Sequence, residues 1–356
     1  MEFVSLPTMV RIEPLDDPER FSPADRQHVD RLLARAAAAD RHRPISEQAE
    51  RVLDHPTPGG SWALLAGPTP DTVAGFGLLA RGRESWEVEV VVDPDARPPA
   101  EALPTGVPTA EAPTAEAPDA GPPDGEPGEL ATVELLRAAL TCAAEHGGGT
   151  VRYWAFTVPD GHDAAVTALG FEVERTLLQM RVPLPLDASV RPAGPRLAVR
   201  PFRPGDDDAA WLEANNRAFA GHPEQGGWDE ATLQAREAEP WFDAAGFLLH
   251  EDGDRLAGSC WTKVHGDTTP PMGEIYVISV DPDFGGRGLG RALTIAGLDH
   301  LASLGLSVGM LYVDEANAAA VGLYRSLGFT VDHVDRAYVR VDRAYVIDAP
   351  TARPMP

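Results

Sequence analysis

The sequence predicts two copies of one α/β layer domain, each an α+β mixed sheet, the first interrupted by a disordered Pro/Ala-rich insertion. An internal repeat is the first observation behind this. Thr72-Val73-Ala74-Gly75-Phe76 resembles Arg255-Leu256-Ala257-Gly258-Ser259, and Val90-Val91-Val92-Asp93-Pro94-Asp95 resembles Ile278-Ser279-Val280-Asp281-Pro282-Asp283. Ala168-Leu169-Gly170-Phe171 resembles Ser326-Leu327-Gly328-Phe329, so three matches occur in one order. Spacing is the second observation: Asp93 to Phe171 is 78 residues, Asp281 to Phe329 only 48. The third is the order of elements in the later copy, in which antiparallel strands precede a β-α-β-α-β run.

The surplus of the first copy falls on residues 97–128, RPPAEALPTGVPTAEAPTAEAPDAGPPDGEPG. The segment holds the near-repeat PTAEAPTAEAP and almost no large apolar residue. Too little surface can be buried there to offset the entropy of ordering, so it is expected to be disordered. The expected division is a first domain over 8–186, a linker over 187–196, a second domain over 197–347 and a tail over 348–356.

In the second copy, residues 208–220 carry apolar side chains at helical spacing up to the break Gly221-His222-Pro223. Residues 247–250 and 255–264 read as strands around the turn 251–254. The β-branched run 274–280 is a further strand. Residues 290–304 form a helix closed by Gly305, 308–313 a strand, and 317–327 a helix with Gly328 just beyond it. A final strand or hairpin covers 329–341.

Asp and Glu number 55 against 30 for Lys and Arg, a formal charge of -25. Such a chain repels phosphate at long range, which argues against nucleic acid or an anionic membrane surface as partner. No apolar run reaches the ~18 residues of a membrane span. Met1 to Glu13 lacks a basic patch and an apolar stretch, so no signal peptide is expected. Two cysteines, Cys142 and Cys260, are too few for a disulfide framework or zinc cage, and His222 and His265 have no partner at metal spacing. A cytoplasmic, metal-free, monomeric protein is the expectation.

Between the strand ending at Val280 and the next helix lies DPDFGGRGLGRAL. Gly285, Gly286, Gly288 and Gly290 allow backbone amides to converge at a helix N-terminus, which suits a phosphate or pyrophosphate. Arg287 and Arg291 add positive charge. The spacing is wrong for the dinucleotide motif G-x-G-x-x-G, and no Gly-Lys-Ser/Thr is present for a Walker loop.

Val280-Asp281-Pro282 with the loop from Gly285 to Gly290 resembles the acetyl-CoA loop of the GNAT acetyltransferase superfamily, with Gly285 where Gln or Arg is usual. Residues 317–329 are similar to that superfamily's N-x-x-A-x-x-x-Y-x-x-x-G-F. Together with HPEQGGW from His222, WTKVH from Trp261 and GEIYV from Gly273, the tandem arrangement resembles the mycothiol synthase family. The resemblance implies two GNAT domains and acetyl-CoA as co-substrate. It implies a small-molecule amine, cysteinyl-glucosaminyl-inositol, as acceptor.

For the site, it implies that Ile278, Ser279 and Val280 pair with the pantetheine arm. The pyrophosphate and neighbouring groups would lie against Gly285, Gly286, Arg287, Gly288, Leu289, Gly290 and Arg291, and against Asn317, Ala318, Ala319, Ala320, Val321 and Gly322. Tyr324 would be the general acid for the thiolate and Glu274 the base for the amine. Glu47, Glu224, Lys263, Glu274 and Tyr312 would contact the acceptor. Locally, Glu47 also reads as a capping-box carboxylate following Ser46.

Ungapped alignment of the repeats sets Trp86 against Glu274 and Val166 against Tyr324, and it runs the first loop into prolines. The first copy is therefore expected to be non-catalytic, while Val90, Val91 and Val92 keep a strand able to hold pantetheine. Other readings of the same features are a GNAT enzyme acting on another amine or a protein N-terminus, and a silent acyl-CoA sensor.

Overall fold

The computed structural model describes residues 9–40, 42–69, 72–82, 85–97, 127–156, 158, 162–191, 196–220, 226–266 and 268–341, with no side-chain description for 127–130. The expected disordered insertion lies, from 98 to 126, outside the described residues, as does the tail. Its last two positions, Pro127 and Gly128, belong to a helix instead. Two compact units divide the chain: residues 1–175 with 335–356, and residues 176–334.

In chain order the first copy contributes β1 (Met9–Pro14), α1 (Pro23–Asp40), α2 (Glu47–Asp54), β2 (Ser61–Gly67), β3 (Gly75–Arg81), β4 (Trp86–Val92), α3 (Pro127–Glu145), β5 (Thr150–Ala155), α4 (His162–Ala168) and β6 (Glu172–Pro183). The second contributes β7 (Arg200–Pro201), α5 (Asp208–Ala218), α6 (Glu230–Glu237), β8 (Phe247–Asp252), β9 (Arg255–His265), β10 (Met272–Val280), α7 (Leu289–Ser303), β11 (Val308–Asp314), α8 (Ala318–Ser326) and β12 (Thr330–Val341). The expected final strand or hairpin is one strand, and the short helix α6 was not foreseen.

In the first unit β1 to β4 are antiparallel and β5 runs parallel to β4. Beside β5 lies β12, antiparallel, from Arg336↔Ala155 to Val341↔Thr150. In the second unit β7 to β10 are antiparallel and β11 runs parallel to β10. Beside β11 lies β6, from Leu177↔Asp314 to Pro183↔Val308. The chain thus changes unit inside β6 and again inside β12, so each unit's last strand comes from the other copy. Boundaries drawn at 186 and 197 do not follow this division. The reason is that β6 and β12 are repeats of one pattern, and local sequence cannot distinguish pairing at home from exchange. Arg191, within the expected linker, forms a bidentate pair with Asp299 of α7 at 2.5 and 3.0 Å.

In each unit the strands carry an apolar core on both faces. In the second unit α5 and α6 cover Phe247, Trp261 and Val277, while α7 and α8 cover Cys260, Ile275 and Leu311. α7 lies so close to β10 that a Cβ on Gly273 would meet Leu301 at 2.6 Å. Glycine is required there for approach, and it sets the depth of β10. No described helix is long and apolar enough to cross a membrane.

In the first unit Glu89 is buried, and its carboxylate accepts from the Ser46 amide (2.8 Å) and hydroxyl (2.6 Å). Ser46 caps α2 by accepting from the Ala49 amide. The carboxylate that completes the cap is therefore Glu89 from β4, and Glu47 instead pairs with Arg43 at 3.4 Å. Burial outweighs these hydrogen bonds and pushes the Glu89 pKa from 4.5 up to about 7. Between those values the folded state binds more protons than the unfolded state, so Glu89 makes stability fall as pH rises. Glu89→Gln should flatten this part of the Tm-against-pH curve. An unchanged slope between pH 4.5 and 7 would dismiss the effect.

Candidate active site

The site forms where β10 and β11 part. Their parallel ladder consists of Gly273↔Gly309 and Glu274↔Met310 and goes no further. On its other edge β10 stays paired with β9 through Val280↔Gly258, interrupted by a bulge at Tyr276 between Ile275 and Val277. Among the described residues, the edge of β10 from Val277 to Val280 that faces β11 thus has no ladder partner there. Backbone N–H and C=O groups left so are strong hydrogen-bonding groups that an extended ligand can pair with.

Glu274 stands where the opening begins and is 7% exposed. Its strand neighbour Ile275 lies in the core under α7 and α8, so by strand alternation Glu274 points to the α5/α6 face. Directly opposite on β9 is Lys263, and diagonally His265, whose Nε2 lies 2.7 Å from Glu274 Oε2. The bulge adds one residue and so places Tyr276 on the same face as Val277 and Trp261. There the Lys263 ammonium sits 4.5 Å from the Trp241 ring centre and 5.5 Å from that of Tyr276. Lys263, the only lysine in the chain, is 5% exposed.

Past Val280, the Asp281 carboxylate caps the short helix Pro282–Phe284 by accepting from the Asp283 amide. Gly286 and Gly288 follow at φ +74° and +77°, with Gly288 as N-cap of α7. These angles cost a side-chain-bearing residue strain, and a Cβ at either position would meet nothing within 4 Å. The glycines therefore serve the backbone path around an open space at the helix N-terminus, where unpaired amides and the helix dipole favour an anion. The Arg255 and Arg287 guanidinium groups lie 5.0 and 5.1 Å from the Phe284 ring centre. Hydrogen bonds from Arg255 and Arg217 hold the Asp283 carboxyl below its ordinary pKa.

Two expected ligand contacts are engaged within the fold. Arg291 donates to Ser326 Oγ at 2.5 Å and to the Val190 carbonyl at 2.6 Å. Asn317 caps α8 by accepting from the Ala320 amide at 3.1 Å. Ser279 is buried, its hydroxyl 3.0 Å from that of Ser259, so it can offer a ligand its backbone only. Leu289 and Gly290 open α7, and the run from Ala318 to Gly322 opens α8. Tyr324 of α8 belongs to the core on the α7/α8 face, opposite Glu274, and burial pushes its pKa up to about 12. Tyr312 on β11 is 42% exposed and accepts from Gln179 Nε2 at 2.9 Å. Glu224 lies outside the described residues. Among the described residues no three His, Cys, Asp or Glu are grouped to hold a metal ion.

The first unit corrects one sequence expectation and matches another. Strand register aligns Val92↔Gly75 with Val280↔Gly258, and the bulge at Tyr276 then shifts the count by one. Glu87, paired with Ala80 and Arg152, is the counterpart of Glu274, paired with Lys263 and Met310. Trp86 is not, because ungapped alignment cannot see a bulge. Glu87 is only half-buried, and it accepts from Ser85 Oγ at 2.7 Å. Val166 does occupy the place of Tyr324: its carbonyl takes the amides of Leu169 and Phe171 as that of Tyr324 takes those of Leu327 and Phe329. The β4–β5 ladder runs four residue pairs, to Glu89↔Trp154, which leaves Val90, Val91 and Val92 beyond it.

A mixed sheet with a parting parallel pair, followed by a glycine-rich helix start, defines an acyltransferase of the GNAT class. The model of the acetyltransferase (GNAT) family matches residues 209–329. The chain is 43% identical to the mycothiol acetyltransferase of Geodermatophilus obscurus over 336 residues, 91% of this chain and 97% of that one. It is 47% identical to that of Thermomonospora curvata over 315 residues, covering 87% and 93%. The chain belongs to the mycothiol acetyltransferase family and is an N-acetyltransferase. Among solved structures it is similar to a GCN5-related N-acetyltransferase from Sphaerobacter thermophilus (TM-score 0.61, 21% identity, covering 94% and 95%). It is also similar to a tandem GNAT protein from the clavulanic acid biosynthesis pathway (TM-score 0.58, 16% identity, covering 94% and 98%).

Proposed function

We propose that the second unit transfers the acetyl group of acetyl-CoA to the cysteinyl amine of cysteinyl-glucosaminyl-inositol, yielding mycothiol. The observation that carries this is a buried Glu274 at the mouth of the β10–β11 opening, in a member of the mycothiol acetyltransferase family. Acetyl-CoA supplies an activated thioester. The open glycine turn at Gly286 and Gly288 fits its pyrophosphate, and the free edge from Ile278 to Val280 fits its pantetheine amides.

Glu274 takes the proton that the amine loses as it attacks, and the edge amides of β10 polarise the carbonyl. Tyr324 donates its phenolic proton to the departing thiolate. Burial, which raises its pKa to about 12, keeps the phenol protonated at neutral pH, although as a weaker acid than a solvated tyrosine. Lys263, Tyr312 and Glu224 contact the hydroxyl-rich acceptor. We assign the chemistry to the second unit alone, because the first has Val166 at the acid's position and a half-buried Glu87, already hydrogen-bonded to Ser85, at the base's. The free, buried Cys142 and Cys260 fit a reducing compartment, and we place the reaction in the cytoplasm, on a monomer.

The decisive experiment incubates the purified protein with acetyl-CoA and cysteinyl-glucosaminyl-inositol and follows the acceptor by mass spectrometry. Gain of one acetyl group on the cysteinyl nitrogen is expected, and an unmodified acceptor overturns the substrate. Tyr324→Phe should lower kcat by roughly ten- to a thousandfold with KM for acetyl-CoA little changed. An unaltered rate of the chemical step in single-turnover kinetics refutes the proton-donor role.

A further inference from the structure

We infer that His265 is a positioning residue for Glu274, an inference that rests on the reading of Glu274 as the base. The β9–β10 register pairs Met272 with His265 and Glu274 with Lys263, so His265 reaches Glu274 along the diagonal of the ladder. Nε2 and Oε2 are 2.7 Å apart, and the two side chains are only 12% and 9% exposed. An ionised carboxylate accepts hydrogen bonds and donates none, so Nε2 carries a proton and donates it.

This bond answers a specific weakness of glutamate as a base. Rotation about its terminal carboxyl torsion has broad wells, so packing alone leaves the direction of the oxygens poorly determined. With Oε2 held by His265, Oε1 is the oxygen presented to the acceptor. The histidine is itself anchored, because its backbone carbonyl accepts from Thr268 Oγ1 at 3.0 Å, which fixes the end of β9. During transfer an N–H bond of the amine breaks and an O–H bond forms at Oε1. His265 neither gains nor loses a proton.

Steady-state kinetics on a double-mutant cycle test this. His265→Ala should lower kcat by about ten- to a hundredfold, in line with the cost of a misplaced catalytic group, with KM for acetyl-CoA within about twofold and Tm near that of the parent. His265→Gln, whose amide can donate from a similar position, should recover most of the loss. In the Glu274→Gln background, His265→Ala should cost nothing further, because the group it positions is gone. The role is overturned by an undiminished kcat in His265→Ala, by His265→Gln performing no better than His265→Ala, or by a full additional loss in the double variant. If Glu274→Gln alone keeps parental kcat, the reading of Glu274 as base falls first, and the role of His265 with it.

Discussion

Gly288→Glu should abolish acetyl transfer. At φ +77° a side chain is strained, and this one carries a negative charge into the open space at the N-terminus of α7. Two charges 4 Å apart repel by about 1 kcal/mol in water and about 4 kcal/mol near a protein surface, so a bound pyrophosphate is penalised beyond the volume it loses. The surrounding structure offers no clash, because a Cβ there meets nothing within 4 Å. Thermal unfolding should therefore still show a folded second unit. The matched control is Ala96→Glu in the first unit, at the end of the short helix Pro94–Ala96, which Asp93 caps as Asp281 caps its counterpart. Its turnover should stay within a few-fold of the parent. The reverse pattern, transfer lost with Ala96→Glu and kept with Gly288→Glu, would move the active site to the first unit.

Glu274→Gln should lower kcat by about a hundred- to ten-thousandfold, the range in which a positioned base contributes. The amide keeps the volume of the carboxyl and one oxygen that can still accept from His265, so the packing of β10 is preserved. It cannot take the proton of the incoming amine. KM for acetyl-CoA should change little, since the loop from Gly285 to Gly290 and the β10 edge are untouched. Kinetics with saturating acetyl-CoA and varied acceptor make the measurement. Parental kcat in a variant with parental Tm would leave the enzyme without its assigned base.

Much of the candidate site is legible in the sequence. Helices α7 and α8 follow from apolar periodicity bounded by Gly290, Gly305, Asn317 and Gly328. The strand from Glu274 and the glycine turn were visible because both are local and depend on residue type over a few positions. The readings that changed depend on neighbours far away in the chain. Trp86 was set against Glu274 since counting residues cannot register a bulge, and only pairing with β9 shows that Tyr276 is extra. Arg291 is drawn off by Ser326 and by the Val190 carbonyl, 35 and 101 residues away. The Ser46 cap is completed by Glu89 from β4 rather than by adjacent Glu47.

The sequence by itself determined that the chain is a duplicated α/β unit, where its glycine-rich loop lies, and which copy retains a tyrosine before the closing Gly-Phe. These are properties of backbone conformation and side-chain chemistry, which short segments carry with them. Tertiary structure alone decided that β6 and β12 each finish the other copy's sheet, and that β10 and β11 separate after two residue pairs. It also decided that His265 meets Glu274. The physical reason is that strand pairing is satisfied by any partner of matching pattern and register. Which of two equivalent strands wins, and which side chains then become diagonal neighbours, is set by packing over the whole chain.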